Sequence, residues 1–183
     1  MNGWWNFFYL CGSAGATLTG LMFVAVPLAS SLIRKDNLPV VNVFLSPFCF
    51  HFLHVFFLCG MVAVPAANPF LTGVAAIGSA LWRMTGMPKH VSILRSERKN
   101  PQAEIHLSDW LLLVVLPTII YVSLIVAGIG FLSGKSWAVH MLAASCIGLL
   151  LVAARGAWNT LVTIAVIRSR QNDSAQQQKA NTA

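Results

Sequence analysis

Long runs of apolar residues divide this chain, and they predict helices that cross a membrane. A helical run of about 20 apolar residues spans the hydrocarbon core of a bilayer. Such runs occupy residues 7–32, 40–64, 67–82, 110–132 and 137–167. The pattern predicts an all-α integral membrane protein, a five-transmembrane-helix bundle that forms a single domain over residues 1–170.

The polar segments leave no room for a separate soluble domain. Segment 84–108 is predicted to be a cytosolic loop, and segment 171–183 a disordered cytosolic tail because it is polar and lacks aromatic residues. Only 9% of the residues are charged and 57% are hydrophobic. Soluble domains average about 25% charged residues, so composition also favours a membrane protein.

The positions of Lys and Arg predict the orientation of the bundle. Basic residues collect in the short loops on the cytoplasmic side of a membrane. Ten of the twelve lie after the first run, after the third run or in the tail. We therefore expect an N-terminus outside and a C-terminus in the cytoplasm. This orientation accounts for the net charge of +7 without a nucleic-acid partner, and Arg95, Arg98 and Lys99 are expected to contact anionic lipid.

Small residues form a helix-packing face on the first run. Gly12, Ala16 and Gly20 recur at four-residue spacing, with Gly15 and Thr19 on a neighbouring stripe. In lipid, small side chains let helix backbones approach closely. The face is expected to pack on another helix of the chain, to contact a second subunit or to line a narrow pore.

Two histidines, His51 and His54, lie near the middle of the second run, and their spacing places them on one face of the helix. Ionisable groups at that depth are functional candidates. Three interpretations stay open: neutral rings bonded within the bundle, a proton-responsive or path-lining pair, and a haem or metal site. Two His on one helix make a poor axial pair, and His140 lies at another depth. No metal or cofactor is therefore predicted.

Arg155 is the one charged residue within the five runs. One interpretation is that its side chain extends to the inner interface near Trp158. The other is that it faces the bundle interior, where no acid is predicted, and meets an anion together with Asn159, one turn further on. The four cysteines all fall in apolar runs and are interpreted as small core residues.

The motifs that would indicate catalysis are absent from the sequence. It contains no Gly-rich phosphate loop, no HExxH and no nucleophile elbow. We therefore expect a protein that is not an enzyme.

Two segments resemble a broad group of small, uncharacterised bacterial multi-pass membrane proteins. The first is GATLTGLMFVA, in the first run, and the second is RGAWN, late in the last run. The resemblance implies a helix bundle in the bacterial inner membrane and carries over no activity.

These observations together favour a homo-oligomeric channel or pore-like transport protein. Its intramembrane polar groups would be His51, His54, Arg155 and Asn159, and Arg155 with Asn159 would make the inner mouth favour anions. The alternative is a non-catalytic accessory or anchoring subunit of a larger membrane complex. The short loops and the absence of catalytic motifs from the sequence fit this alternative equally well.

Overall fold

The computed structural model describes residues 3–30, 38–64, 68–97 and 114–181, and its described residues form five helices and no strand. Side chains are described within 3–24, 48–64, 68–86 and 114–159, and at Val162. The helices are α1 (Trp5–Ser30), α2 (Leu38–Ala63), α3 (Pro69–Glu97), α4 (Leu116–Leu132) and α5 (Trp137–Asn181). The all-α class is therefore confirmed.

Two of the described helices are long and apolar enough to cross a membrane, by length and composition. They are α1 over Trp5–Val24 and α5 over Trp137–Asn159. The apolar parts of α2 and α4 are shorter, at Phe48–Ala63 and Leu116–Leu132. Each of the five helices overlaps one of the five predicted runs, so the hydropathy pattern placed the helices along the chain correctly.

Two helices extend beyond the predicted limits. Helix α3 continues to Glu97, although residues 84–108 were expected to form a loop. Helix α5 continues to Asn181, although residues 171–183 were expected to be disordered. Both expectations assumed that a helix ends where the sequence becomes polar. The α5 extension is rich in Gln and Ala, which favour helix, whereas the α3 extension contains Gly86 and Pro88, which do not. In both cases, lengthening an existing helix avoids the cost of nucleation.

Local signals fix where α3 begins and α4 ends. The Asn68 side-chain oxygen accepts a hydrogen bond from the backbone N–H of Phe70 at 2.9 Å, and Pro69 occupies the first helical position, where no N–H is needed. At the end of α4, Gly134 adopts a φ of 64°. The N–H of Lys135 then reaches the carbonyl of Gly130 at 2.9 Å. This is a Schellman motif, and it turns the chain into α5.

The helices pack in a definite order around the core. Helix α2 lies against α1 and α5, α5 lies against α4, and α4 lies against α3, whereas α2 and α3 contact each other much less. Ser123 on α4 and Ser145 on α5 are joined by a hydrogen bond of 2.7 Å between their hydroxyls. The limited contact between α2 and α3 leaves a groove between them.

Glycines mark the places where helix backbones approach most closely. A Cβ at Gly73 on α3 would lie 2.8 Å from the carbonyl oxygen of Gly128 on α4. Likewise, a Cβ at Gly128 would lie 2.8 Å from the carbonyl oxygen of Gly73. On α5, a Cβ at Gly156 would overlap the ring of Phe48 on α2. Side chains larger than hydrogen would force these helices apart.

The cysteines are core residues, as expected. Cys11, Cys59 and Cys146 are buried, Cys49 is half-buried, and all four thiols are free. The thiols of Cys59 and Cys146 lie within hydrogen-bond reach of each other.

Candidate functional site

A histidine and a tyrosine meet in the interior of the bundle. Nδ1 of His51 on α2 lies 2.8 Å from the hydroxyl of Tyr121 on α4. The two side chains are 1% and 0% exposed. A buried imidazole or phenol without a partner would be costly, and this bond satisfies polar atoms of both rings.

His54 lies one turn beyond His51 and faces the same tyrosine. Its ring meets the Tyr121 ring edge-on, with centroids 5.3 Å apart. The His54 side chain is half-buried, and its Nε2 atom is enclosed without a hydrogen-bond partner among the described residues. The ring therefore has a polar atom that no described residue satisfies.

Arg83 on α3 completes the cluster with a positive charge. Its guanidinium carbon lies 5.4 Å from the centre of the Phe50 ring, a cation–π arrangement. The guanidinium is within hydrogen-bond reach of the Tyr121 hydroxyl and interacts electrostatically with His54. Its Nε atom, however, is enclosed without a hydrogen-bond partner among the described residues.

A groove of about 450 Å³ lies between α2 and α3 beside this cluster. We call it the α2–α3 groove. Its polar lining residues are His54 and Arg83, and its other lining residues are apolar: Phe50, Leu53, Phe56, Phe57 and Trp82. Phe56 and Phe57 are exposed and Trp82 is 82% exposed, so the groove opens at the outer surface of the bundle.

The polar residues share one level along the bundle. His51 lies 12 residues before the end of α2, Arg83 lies 14 residues after the start of α3, and Tyr121 lies 11 residues before the end of α4. At a rise of about 1.5 Å per residue, each is about 17–21 Å from those helix ends. A hydrocarbon core is about 30 Å thick, so in such a layer this level would lie about 9–13 Å from the opposite edge.

The structure brings together only part of the site expected from the sequence. His51 and His54 lie together at the cluster. Arg155 and Asn159 are exposed side chains on α5, and the neighbouring Gly156 packs on Phe48, about one turn below His51. The cation that faces the histidines is therefore Arg83 and not Arg155.

His140 lies away from the cluster, as its depth suggested. It is exposed, and its ring meets that of Trp4 edge-on with centroids 4.9 Å apart. Within the described part of the chain, no group of three or more His, Cys, Asp or Glu residues is placed to hold a metal ion.

The packing face on α1 differs in one respect from the expected one. Gly12, Gly15 and Thr19 are buried, whereas Ala16 and Gly20 are exposed. A Cβ at Gly15 would lie 2.9 Å from the carbonyl oxygen of Phe52 on α2, while nothing lies within 4 Å of one at Gly20. The intramolecular contact therefore uses the neighbouring stripe together with Gly12, because α2 crosses α1 on that side.

The proposed lipid-contacting residues lie mostly outside the described part of the structure. Arg98 and Lys99 are not among the described residues, and Arg95 is described only as part of the backbone of α3.

Sequence reasoning missed two residues of the cluster, Arg83 and Tyr121. Arg83 directly follows the apolar run 67–82 and entered the prediction only as one of the basic residues after the third run. Tyr121 is one of two tyrosines in the chain and the one within the fourth run. A phenol hydroxyl in a run of Leu, Ile and Val needs a partner if it is buried, and this was the available signal.

The cluster can donate hydrogen bonds to a negatively charged group. The guanidinium of Arg83 donates through its N–H groups, and the imidazole of His54 donates when Nε2 carries the proton. None of the described side chains is an Asp or Glu, so no carboxylate among them neutralises Arg83. No protein-family model, curated protein or solved structure matches the chain.

Proposed function

We propose that the protein is a five-span membrane protein with its N-terminus outside and its C-terminus in the cytoplasm. Exposed large apolar side chains occur on every helix and support this: Phe23, Phe56, Phe70, Ile119 and Leu151 are examples. In water such a surface would be an unusually large apolar patch. In lipid it is the expected exterior.

The proposed orientation has support from the ends of the helices. The contact between Trp4 and His140 brings the start of α1 beside the start of α5. The predicted outer side contains both of these ends, and the basic residues concentrate toward the other side. With the resemblance of the first and last runs, this favours the inner membrane of a bacterium.

We further propose a homo-oligomeric, pore-like transport protein that favours anions. The observation that carries this proposal is Arg83, a cation that shares one level of the bundle with His51, His54 and Tyr121 and has no carboxylate among the described side chains. A guanidinium far from water is costly without a counter-charge. An anion at the α2–α3 groove would supply that charge and would find donors already in place.

The physical effect of Arg83 is large at this depth. Two unit charges about 4 Å apart attract by about 4 kcal/mol at an effective dielectric constant of about 20, and by only about 1 kcal/mol in water. A cation in a low-dielectric groove therefore lowers the barrier for an anion and raises it for another cation. The site accordingly discriminates by sign of charge.

The test is flux into liposomes that contain the purified protein, under a fixed membrane potential. The anions are chloride, nitrate and an alkyl sulfonate, the last because it stays ionised and cannot cross the bilayer in a neutral form. We expect uptake above that of empty liposomes for at least one of these anions, and none for potassium or sodium. Absence of flux for all three anions, or a preference for cations, would contradict the proposal.

One observation favours the alternative of an accessory or anchoring subunit. Helix α5 continues as far as Asn181, which is about 33 Å beyond Asn159 at about 1.5 Å per residue. A helix that extends this far past the apolar window provides a surface for a cytosolic partner. Purification from native membranes under mild conditions distinguishes the two functions: a fixed stoichiometric partner supports the subunit, and a pure homo-oligomer supports the transport protein.

A further inference from the structure

We propose that the α2–α3 groove binds a lipophilic organic carboxylate that enters from the bilayer. Arg83 and His54 bind the carboxylate, and the aromatic walls bind the hydrocarbon chain. This inference names the class of anion that the proposed transport protein would carry. The physiological meaning of the binding therefore rests on the proposed transport function. Binding itself is a separate property that can be measured without transport.

Two polar atoms have no hydrogen-bond partner among the described residues, and both belong to side chains of the same groove. They are Nε2 of His54 and Nε of Arg83. A buried polar atom left unpaired costs about 1–3 kcal/mol, and more when it belongs to a charged group. Both atoms are enclosed by neighbouring protein atoms, so a ligand with acceptor oxygens pairs with them only when the His54 and Arg83 side chains turn toward the groove.

The charge and geometry of these groups fit a carboxylate. Arg presents paired N–H groups in a plane, which match the two oxygens of a carboxylate. His54 adds a further donor from the facing helix when its proton is on Nε2. Among the described side chains Arg83 has no acidic partner, so none of them competes with a ligand anion for this cation.

The size and lining of the groove point to a ligand with a large apolar part. Its volume of about 450 Å³ is far greater than that of chloride or nitrate, and it falls within the range of about 300–1,000 Å³ that holds small organic molecules. Phe50, Leu53, Phe56, Phe57 and Trp82 line the remainder of the groove. These walls solvate a hydrocarbon chain and offer nothing to an ion surrounded by water.

The opening of the groove faces the surroundings of the bundle. Phe56, Phe57 and Trp82 are exposed there, and in the proposed topology that surface contacts lipid tails. An amphiphile dissolved in the bilayer therefore reaches the groove laterally.

Quenching of tryptophan fluorescence tests this directly because Trp82 lines the groove. The full chain in nanodiscs is titrated with dibromostearic acid, whose bromines quench nearby indoles, at a pH where the carboxyl is ionised. The neutral methyl ester of the same acid is the matched ligand control. Trp82→Phe identifies the part of the signal that comes from the groove.

We expect saturable quenching of Trp82 by the acid. The methyl ester and the Arg83→Gln protein should each bind about tenfold to a hundredfold more weakly, as the loss of a hydrogen bond to a charged group implies. Arg155→Gln, which removes an exposed cation, should leave the affinity unchanged. Circular dichroism of Arg83→Gln checks that the variant is folded, and His54→Gln gives a second weakened variant.

Equal affinity for acid and ester would overturn the inference and would make the groove an ordinary lipid contact. Unchanged binding by folded Arg83→Gln would overturn it too. These failures are distinct from failure of the proposed function. Flux of chloride or nitrate without carboxylate binding would contradict the inference but support anion transport. Carboxylate binding without flux of any anion would support a binding protein and contradict the transport function.

Discussion

Nδ1 of His51 and the hydroxyl of Tyr121 lie 2.8 Å apart and join α2 to α4 within the bundle. The Tyr121 ring also contacts His54, and its hydroxyl is within reach of Arg83. Tyr121 thus contacts all three basic side chains of the cluster. The groove lies between α2 and α3, but its geometry depends on a residue of α4 behind it.

Replacing Tyr121 by Phe is expected to destabilise the fold by about 0.5–1.5 kcal/mol, the range measured for hydrogen bonds between membrane helices. The measure is the free energy of unfolding in detergent. His51→Leu and the double variant complete a double-mutant cycle. We expect the two substitutions to be non-additive, by about 0.5 kcal/mol or more. Strict additivity would show that the bond contributes nothing to stability.

Replacing Gly15 by Ala is expected to separate α1 from α2, because the new methyl group would lie 2.9 Å from the carbonyl oxygen of Phe52. Overpacking of this kind costs about 1–3 kcal/mol. Gly20→Ala is the matched control on the same helix, with nothing within 4 Å. It should leave stability unchanged or raise it by up to about 1 kcal/mol, because Ala favours a helix more than Gly does. Thermal unfolding in detergent measures both variants, and equal effects would contradict the described packing.

The proposed orientation predicts opposite labelling of two engineered cysteines. In a protein whose four native cysteines are replaced by Ala, Lys135→Cys lies in the turn between α4 and α5, and Ser174→Cys lies in the last part of α5. A membrane-impermeant maleimide should label position 135 in right-side-out vesicles or spheroplasts. It should reach position 174 only after permeabilisation. The reverse pattern would invert the topology, and labelling of both positions in sealed vesicles would contradict a crossing of the membrane by α5.

The sequence was sufficient for the class of fold and for two members of the cluster. Apolar runs located the five helices of the described residues because each of these helices contains a long apolar segment. His51 and His54 were singled out because imidazoles within an apolar run need partners. Neither step required knowledge of which helices are neighbours.

The remaining features depend on packing, which hydropathy does not encode. Arg83 adjoins the end of an apolar run, and only the continuation of α3 to Glu97 shows that it is held on a helix facing His54. The partner of His51 became evident only because α4 packs behind α2 and α3. On α1, both stripes consist of small residues, and the crossing of α2 decides that Gly15 is buried and Gly20 is not.

The central claim is that Arg83 is the cation that makes the protein favour anions, and one comparison tests it most directly. Anion flux is measured in liposomes that contain equal amounts of the native protein, Arg83→Gln or Arg155→Gln. The proposal predicts that Arg83→Gln lowers the flux by about tenfold or more, given the strength of a charge interaction in a low-dielectric groove, and that Arg155→Gln leaves it within about twofold of the native value. Loss of flux in Arg155→Gln with normal flux in Arg83→Gln would contradict the claim.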